Sequence, residues 1–317
     1  MFDVVALGEL LIDFAPVSVN EAGYPTLSAN PGGAPGNFLA ALNKYGCSTA
    51  MIGKVGDDMF GRLLVSTLKG AGIDTRGVVA DPAWFTTLAF VSLDASGNRD
   101  FSFARKPGAD TRLRPEEVDE SLLSDCRVFH FGTLSLTDEP AASATRRAIS
   151  LARSHGALIS LDPNLRKPLW PSEDAARSAI DWSLHQADIV KISDEEIRWL
   201  WGMSPEQGAR LLLEEYDVSL VYATLGPRGC HTANAKAAVT VPSPLGIRPV
   251  DTTGAGDIFG GSAMSRFLSL HKAPADLTGD DLRAITAFAC TAASLSTQKH
   301  GGITSVPEMA EVLSRLG

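Results

Sequence analysis

Residues 251–257 read Asp251-Thr252-Thr253-Gly254-Ala255-Gly256-Asp257 and run into Ile258-Phe259-Gly260-Gly261. Small residues that lead into a helical pattern place the backbone N–H groups of 254–257 at a helix start. Unpaired donors and the helix dipole favour negative charge there. Glycines let a phosphate approach the main chain closely. A carboxylate at the same point competes with a bound anion. Asp257 makes chemical sense there as the acceptor of a proton from an attacking hydroxyl, while Gly254, Ala255 and Gly256 steady a phosphoryl group in transfer. Two plainer readings fit the same residues. One is a tight turn with a first-turn acid that suits the helix dipole. The other is a dinucleotide fingerprint, which needs glycine at relative positions 1, 3 and 6, whereas the sixth position is Phe259. Neither GxxxxGKS nor GxxxxGKT occurs, so a P-loop is excluded.

A second cluster, Pro31-Gly32-Gly33-Ala34-Pro35-Gly36-Asn37, opens a helical pattern. Bare backbone plus one side-chain amide suits the hydroxyls of a small polar ligand. The same residues would also make a glycine-rich turn with proline at the helix start.

The elements that must carry these clusters alternate. Short apolar runs at Val4–Leu7, Ala50–Val55, Val128–Phe131, Leu158–Leu161, Ile189–Ile192 and Leu220–Leu225 read as strands. Helical patterns fall at 34–45, 58–71, 140–155, 173–186 and 205–215, with two long ones at 257–270 and 279–297. The alternation predicts a doubly wound, mostly parallel α/β sheet covered by helices on both faces. One stretch breaks the rhythm. Thr86–Leu93 is β-prone, Asp94-Ala95-Ser96-Gly97-Asn98 is turn chemistry, and Arg99–Phe103 alternates, which predicts a hairpin outside the main sheet. Phe14–Leu27 supplies candidate partner strands. No linker separates two autonomous domains.

Composition narrows the function classes. The chain has 317 residues and a formal net charge of −9, which argues against nucleic-acid binding. Cys47, Cys126, Cys230 and Cys290 are dispersed without a CxxC, as expected of core thiols in a reducing compartment. Asp3, Glu9 and Asp13 interrupt the N-terminal apolar stretch, so it is a poor signal peptide. No run approaches the roughly 18 apolar residues of a membrane span. A soluble cytoplasmic protein is expected. The six histidines include His130, His155 and His300, and none has Ser-His-Asp or metal-ligand spacing.

Together, Gly32–Asn37 and Asp251–Asp257 resemble the twin signatures of the ribokinase-like (PfkB-type) carbohydrate kinases, and the resemblance runs from Gly8-Glu9-Leu10-Leu11-Ile12-Asp13 to Gly301-Gly302. Within that family the first of these motifs and Ser193-Asp194-Glu195-Glu196 are most similar to bacterial and plant fructokinases. The resemblance implies one kinase domain over 1–317, with a small β-sheet lid formed by about 14–31 and 85–108. It implies Asp257 as base and an anion hole of Gly254, Ala255 and Gly256. It implies sugar or phosphate contacts from Asp13, Gly32, Gly33, Asn37, Arg105, Asn164 and Arg166. Nucleotide contacts are implied at Lys191, Ser193, Thr224, Gly226, Gly229, Ala289 and Ala293. Glu196 is implied to act on Mg²⁺ through water, although Ser193 with Glu196 also reads as a capping box, and many relatives carry Asn where this chain has Ser193. Asp251, Thr253, Gly301 and Ser305 resemble a site for a monovalent cation such as potassium. ATP, a sugar partner and a homodimer through the lid strands follow from the same resemblance.

The implied reaction is transfer of the ATP γ-phosphate to the 6-hydroxyl of fructose. An ordinary Asp, with a pKa near 3.9, suffices as base because a loose transition state asks for little proton transfer early on. The alternatives are another sugar or sugar acid (2-keto-3-deoxygluconate, ribose, a nucleoside), a non-catalytic sugar-binding relative, or a nicotinamide dehydrogenase.

Overall fold

The computed structural model describes residues 1–93 and 99–316. The turn expected at 94–98 lies outside the described residues. In chain order, β1 (Phe2–Leu7), β2 (Leu11–Val19) and β3 (Pro25–Gly32) precede α1 (Ala34–Lys44), β4 (Thr49–Gly56), α2 (Met59–Gly70) and β5 (Asp74–Asp81). The expected hairpin strands follow as β6 (Thr87–Leu93) and β7 (Arg99–Ala104). Next come α3 (Glu120–Leu123), β8 (Cys126–Gly132), α4 (Ala141–Ser154), β9 (Leu158–Asp162), α5 (Glu173–Leu184), β10 (Ile189–Ser193), α6 (Asp194–Trp201) and α7 (Pro205–Glu215). The chain ends with β11 (Leu220–Thr224), β12 (Cys230–Ala233), β13 (Ala238–Val241), α8 (Ala255–Ser269), α9 (Gly279–Ser296) and α10 (Met309–Leu316).

Nine strands form one sheet in the order β13-β12-β11-β10-β9-β8-β1-β4-β5. Pairing is parallel from β5 to β11 and antiparallel for β12 and β13. This is the doubly wound sheet that the alternation predicts. Along β1, Val4 and Ala6 join one apolar layer, and Val5 and Leu7 join the other. Strands buried on both faces read as continuous apolar runs, which is why these were legible. One layer packs α1, α8 and α9 on the sheet, with Phe38, Ile258, Phe259 and Ile285 in it. The opposite layer packs Phe129, Phe131, Ile159 and Leu161 against α4 and α5. From β1 the chain goes outward through β4 and β5, then returns to β8 on β1's other side. The strand order therefore reverses at β1, and open α/β sheets place ligands beyond the carboxyl ends of the strands at such a point.

A separate four-stranded sheet has the order β3-β2-β6-β7. Here β2 pairs antiparallel with β3 and parallel with β6, whose partner β7 closes the hairpin. β5, β12, β13, α3 and α10 were not expected from the sequence, and of α6 only the capping box at its start was read. β12 and β13 have only four residues each, and β5 is mostly half-buried without alternation, so periodicity had little to act on.

Helix starts differ in a way that matters for the site. Asp58, Ser172, Ser193, Ser204 and Thr278 cap α2, α5, α6, α7 and α9 with their own side chains. At α1 and α8 the N-cap residues are Gly33 and Gly254, which have no side chain to give. All four cysteines are free, and Cys126, Cys230 and Cys290 are buried. Among the described residues no helix is long and apolar enough to cross a membrane.

Phe129 is wholly buried in the second layer, whereas Phe85 is 82% exposed. We expect Phe129→Ala to lower the unfolding free energy by about 3–5 kcal/mol, and Phe85→Ala to change it by less than about 0.5 kcal/mol. Urea midpoints of the two variants check the contrast.

Candidate active site

A cleft of about 370 Å³ opens where β1, β9, β10 and β11 end and where α1 and α8 begin. Asp257 is the third residue of α8 and lines this cleft. Asn37, in the first turn of α1, donates from Nδ2 to Asp257 Oδ2 at 2.8 Å. The two sequence clusters therefore meet through one hydrogen bond across 220 residues. Burial pushes the Asp257 carboxyl up to about 6, partly countered by the Lys191 cation, reinforced by Asp162, and lowered by the Asn37 bond and Arg166. The expectation of an ordinary weak carboxylate base is corrected: desolvation makes Asp257 a stronger one.

Gly33 holds φ at +112°, and a Cβ there would stand 2.3 Å from the carbonyl oxygen of Glu9. Gly254 holds φ at +74°, and a Cβ there would stand 2.9 Å from Gly302 Cα. Both helix starts therefore require glycine. The bare start of α1 is served from a distance, because Glu9 Oε1 accepts from Ala34 N at 3.0 Å. Glu9 is buried, lines the cleft and is pushed up to about 7 by burial. Sequence reasoning missed it as a site residue; the signal was an acid inside an apolar strand-like run. The start of α8 has no side-chain cap, so no side chain takes its first-turn N–H groups; Ala255 N donates to the Thr252 carbonyl at 3.3 Å. Ala255 lines a neighbouring cavity rather than this cleft.

Asp13 on β2, with Gly33 and Asn37, lines the cleft. Gly32 does not, but a Cβ on it would stand 2.6 Å from Asp13 Oδ2, so its bareness makes room for that carboxylate. Phe103 from β7 and Leu11 from β2 bring the small sheet to the cleft wall. Asn164, at φ +46°, and Arg166 line the cleft just after β9, as expected of a strand's carboxyl end. Arg105 does not reach the cleft. Its guanidinium binds Asp110 Oδ2 at 2.7 Å, Thr137 Oγ1 at 2.8 Å and the Leu134 carbonyl at 2.8 Å. A carboxylate five residues on in the chain captures it, and it lines an adjoining cavity instead.

Lys191, on β10, lies on the cleft floor, with Nζ 2.6 Å from Asp162 Oδ2. Ser193 and Glu196 form the capping box of α6. Glu196 Oε2 accepts from Ser193 N and Oγ, and Oε1 accepts from Leu165 N at 2.8 Å. Its carboxylate is already held by three donors, yet it lines the cleft. Asp251 Oδ1 accepts from Thr253 N and Oδ2 from Gly301 N. Ser305 Oγ donates to the Gly302 carbonyl beside them. The four residues of the expected monovalent-cation site therefore cluster. His130 donates to or accepts from Ser160 and stacks on Phe38 at 3.8 Å. Burial pushes its imidazole down to about 3, so it stays neutral.

A second cavity, of about 510 Å³, adjoins the first. Thr224, Gly226, Gly229, Ala255 and Ala293 line it, as do Phe259, Cys290, Ser294 and Thr297, which sequence reasoning did not assign. Ala289 was expected there and is instead wholly buried in the core. The helical phase of α9 puts 290, 293, 294 and 297 on the cavity side and 289 on the other. The two cavities share Thr224, Thr252 and Gly256, so they meet at the start of α8.

Residues 1–309 match the model of the pfkB family carbohydrate kinases. The chain is 42% identical over 315 residues to fructokinase-1 of Zea mays, covering 98% of this chain and 96% of that protein. A fructokinase from Xylella fastidiosa solved with bound ATP superposes with a TM-score of 0.90 at 30% identity, covering 100% of this chain and 98% of that one. A fructokinase from Vibrio cholerae O395 in a fructose, ADP and calcium ion bound form superposes with a TM-score of 0.88 at 30% identity, covering 100% and 99%.

The raised pKa of Asp257 means that its folded environment disfavours the charged form, a penalty fully present at pH values above its folded pKa of about 6. Asp257→Asn removes that charge without changing shape. We expect a thermal midpoint at pH 8 equal to the parent's or a few degrees higher, read by scanning calorimetry; a fall of several degrees would contradict this electrostatic account.

Proposed function

The chain belongs to the pfkB family of carbohydrate kinases, and within that family we propose that it transfers the γ-phosphoryl group of ATP to the 6-hydroxyl of D-fructose. The observation that carries this is the placement of Asp257, a desolvated carboxylate in the first turn of an uncapped helix, at the point where two cavities meet. One cavity is lined by polar groups suited to sugar hydroxyls: Asp13, Asn37 and the backbone at Gly33. The other is largely apolar and walled by Phe259, Ile247 and α9, which suits a purine base. The relatives named above support fructose and ATP as the pair.

In this reading the fructose 6-hydroxyl gives its proton to Asp257 as its oxygen attacks the γ-phosphorus. The bond from that phosphorus to the β-γ bridging oxygen breaks, and ADP leaves. The N–H groups of Gly254 and Gly256 hold the transferring group, and each such donor is worth on the order of 3 kcal/mol in the barrier; the Ala255 N–H, expected to join them, is instead held by the Thr252 carbonyl. Arg166 and Lys191 add positive charge along its path. The small sheet acts as a lid, with Leu11, Asp13 and Phe103 closing on the sugar and excluding water. Thr224, Gly226, Gly229, Ser193 and Ala293 face the nucleotide.

The acids of the cleft fit a metal carried in by the nucleotide. Among the described residues no group of three His, Cys, Asp or Glu is spaced to hold an ion, and Glu196 is already held by three donors. Magnesium would be bound by phosphate oxygens and water, with Glu196 meeting it through water, and it supplies neutralisation of phosphate charge. Asp251, Thr253, Gly301 and Ser305 would hold a potassium ion that stiffens the start of α8. A reducing, ATP-containing compartment such as the cytoplasm suits four free thiols.

An ADP-release assay with a sugar panel tests the reading. Fructose should give the highest kcat/KM, and absence of any sugar-dependent ADP would leave only a binding role. Asp257→Asn should lose at least about 10²-fold in kcat with KM for ATP little changed. Because the base works deprotonated, parent kcat/KM should fall as the pH drops through the Asp257 value of about 6.

We also infer a homodimer through the small sheet. Val17, Val19, Leu27 and Phe90 are exposed on its strands, at 65%, 68%, 38% and 37%, an apolar set that a monomer would leave in water. Light scattering should give twice the 33.5 kDa chain mass, and Val17→Asp with Val19→Asp should give the monomer. A monomeric parent at working concentration refutes this.

A further inference from the structure

Two glycines one turn apart, Gly256 and Gly260, leave a groove along α8 that Lys191 fills. A Cβ on Gly256 would stand 3.1 Å from Lys191 Nζ, and one on Gly260 would stand 3.6 Å from Lys191 Cδ. The stem is thus laid against the helix that carries the base, and the ammonium sits against its first turn. Three carboxylates favour the charged form of that ammonium: Asp162 on β9, Asp257 on α8 and Glu196 on α6. Of these, Asp162 makes the direct contact, at 2.6 Å. Its other oxygen accepts from Asn164 N at 3.2 Å, which fixes the carboxylate's orientation. Behind the pair is a small cavity of about 20 Å³, lined among others by Ser160, Tyr222 and neutral His130, large enough for one water. Asp162 has only 6% of its side chain exposed, and Lys191 has 14%. Two desolvated opposite charges held this closely define one geometry, because a buried cation stripped of its counter-ion is strongly disfavoured.

We propose that Asp162 is a positioning residue for phosphoryl transfer: it pins the Lys191 ammonium in the Gly256–Gly260 groove, beside the base and on the path of the transferred group. The proposal rests on the reading of Asp257 as base. It assigns to Asp162 no contact with either substrate.

The charges that face Asp257 make the test signed. Lys191 on β10 and Arg166 after β9 favour its carboxylate, as does the Asn37 amide on α1, whereas Asp162 on β9 disfavours it. Glu196 acts on it through Lys191, and His130 on β8 is neutral. Asp162→Asn removes an anion and, in this proposal, also frees the Lys191 cation, whose effect on Asp257 is the larger, so the acidic limb of kcat/KM should move to higher pH, as it should in Lys191→Met. In Asp162→Asn, kcat should also fall roughly 10-fold with KM for fructose held within about threefold, since a cation on the path is misplaced but the sugar contacts survive. If Asp162 does not hold Lys191, the ammonium stays beside the base and only the anion is lost, so the acidic limb moves to lower pH, which overturns the proposal. Crystal structures of the parent and Asp162→Asn read the same point without turnover. Lys191 Nζ leaving the groove in the variant supports the proposal, and Nζ remaining against Gly256 overturns it. Absence of sugar-dependent ADP release by the parent would instead remove the kinase reading, while the crystal comparison still decides the placement of Lys191.

Discussion

The bond from Asn37 to Asp257 is the constraint around which the site is arranged. It requires the starts of α1 and α8 to touch, although 220 residues separate the partners. Side chains are cleared from the contact to allow this. A Cβ on Gly302 would stand 2.1 Å from Asn37 Oδ1, and one on Gly254 would stand 3.0 Å from Asn37 Nδ2. Further along the same helix pair, a Cβ on Gly261 would stand 2.3 Å from the Phe38 carbonyl oxygen and 2.8 Å from Ala41 Cβ. The glycines that looked like phosphate-binding loops in the sequence thus serve a second purpose, which is close approach of two backbones. The apolar layer holding Phe38, Ile258 and Phe259 keeps both helices on the sheet at that separation.

Electrostatics follow from the same geometry. A net charge of −9 gives the chain as a whole no attraction for a polyanion. In the proposed function its means of holding phosphate are main-chain donors at an uncapped helix start, supplemented by Lys191 and Arg166. The same seclusion that strengthens those donors raises Asp257. A more basic carboxylate and a stronger anion cradle are two results of one desolvated floor, and neither is obtained without the other. The penalty of desolvating an acid is offset by the two apolar layers that cover both faces of the sheet.

Much of the sheet was legible because its strands are covered on both sides and read as apolar runs bounded by helical periods. The two glycine clusters were legible because small residues before a helical pattern have few structural uses. What stayed hidden depends on tertiary ownership. Arg105 looked free because nothing in the sequence says that Asp110, Thr137 and the Leu134 carbonyl claim it. Ala289 was chosen over Cys290 because the phase of α9 relative to the cavity is fixed by packing on the sheet and not by local pattern. Glu9 was concealed in a strand-like run, since its partner Ala34 lies across a turn and two strands. The nearness of Lys191 to α8 is equally non-local: it follows from the order of β9, β10 and β11 under that helix.

The two cavities also divide the chain. Sugar-side lining comes from residues 9–37, with Phe103 and Leu134, while the second cavity is lined only by residues from 224 onward. They share Thr224, Thr252 and Gly256, and Asp257, the residue after Gly256, lines the first of them. In-line transfer needs the acceptor oxygen and the leaving oxygen on opposite sides of the phosphorus, and in the proposed reaction the sugar and the nucleotide reach the start of α8 from these two cavities. Because the donors at that start are backbone atoms, substitutions elsewhere do not alter their chemistry. Acceptor preference can therefore change through the N-terminal third and the small sheet while the nucleotide wall and the anion cradle stay as they are. In the proposed function, fructose specificity would reside in Asp13, Phe103 and their neighbours, and the kinase chemistry in the contact between two helix starts.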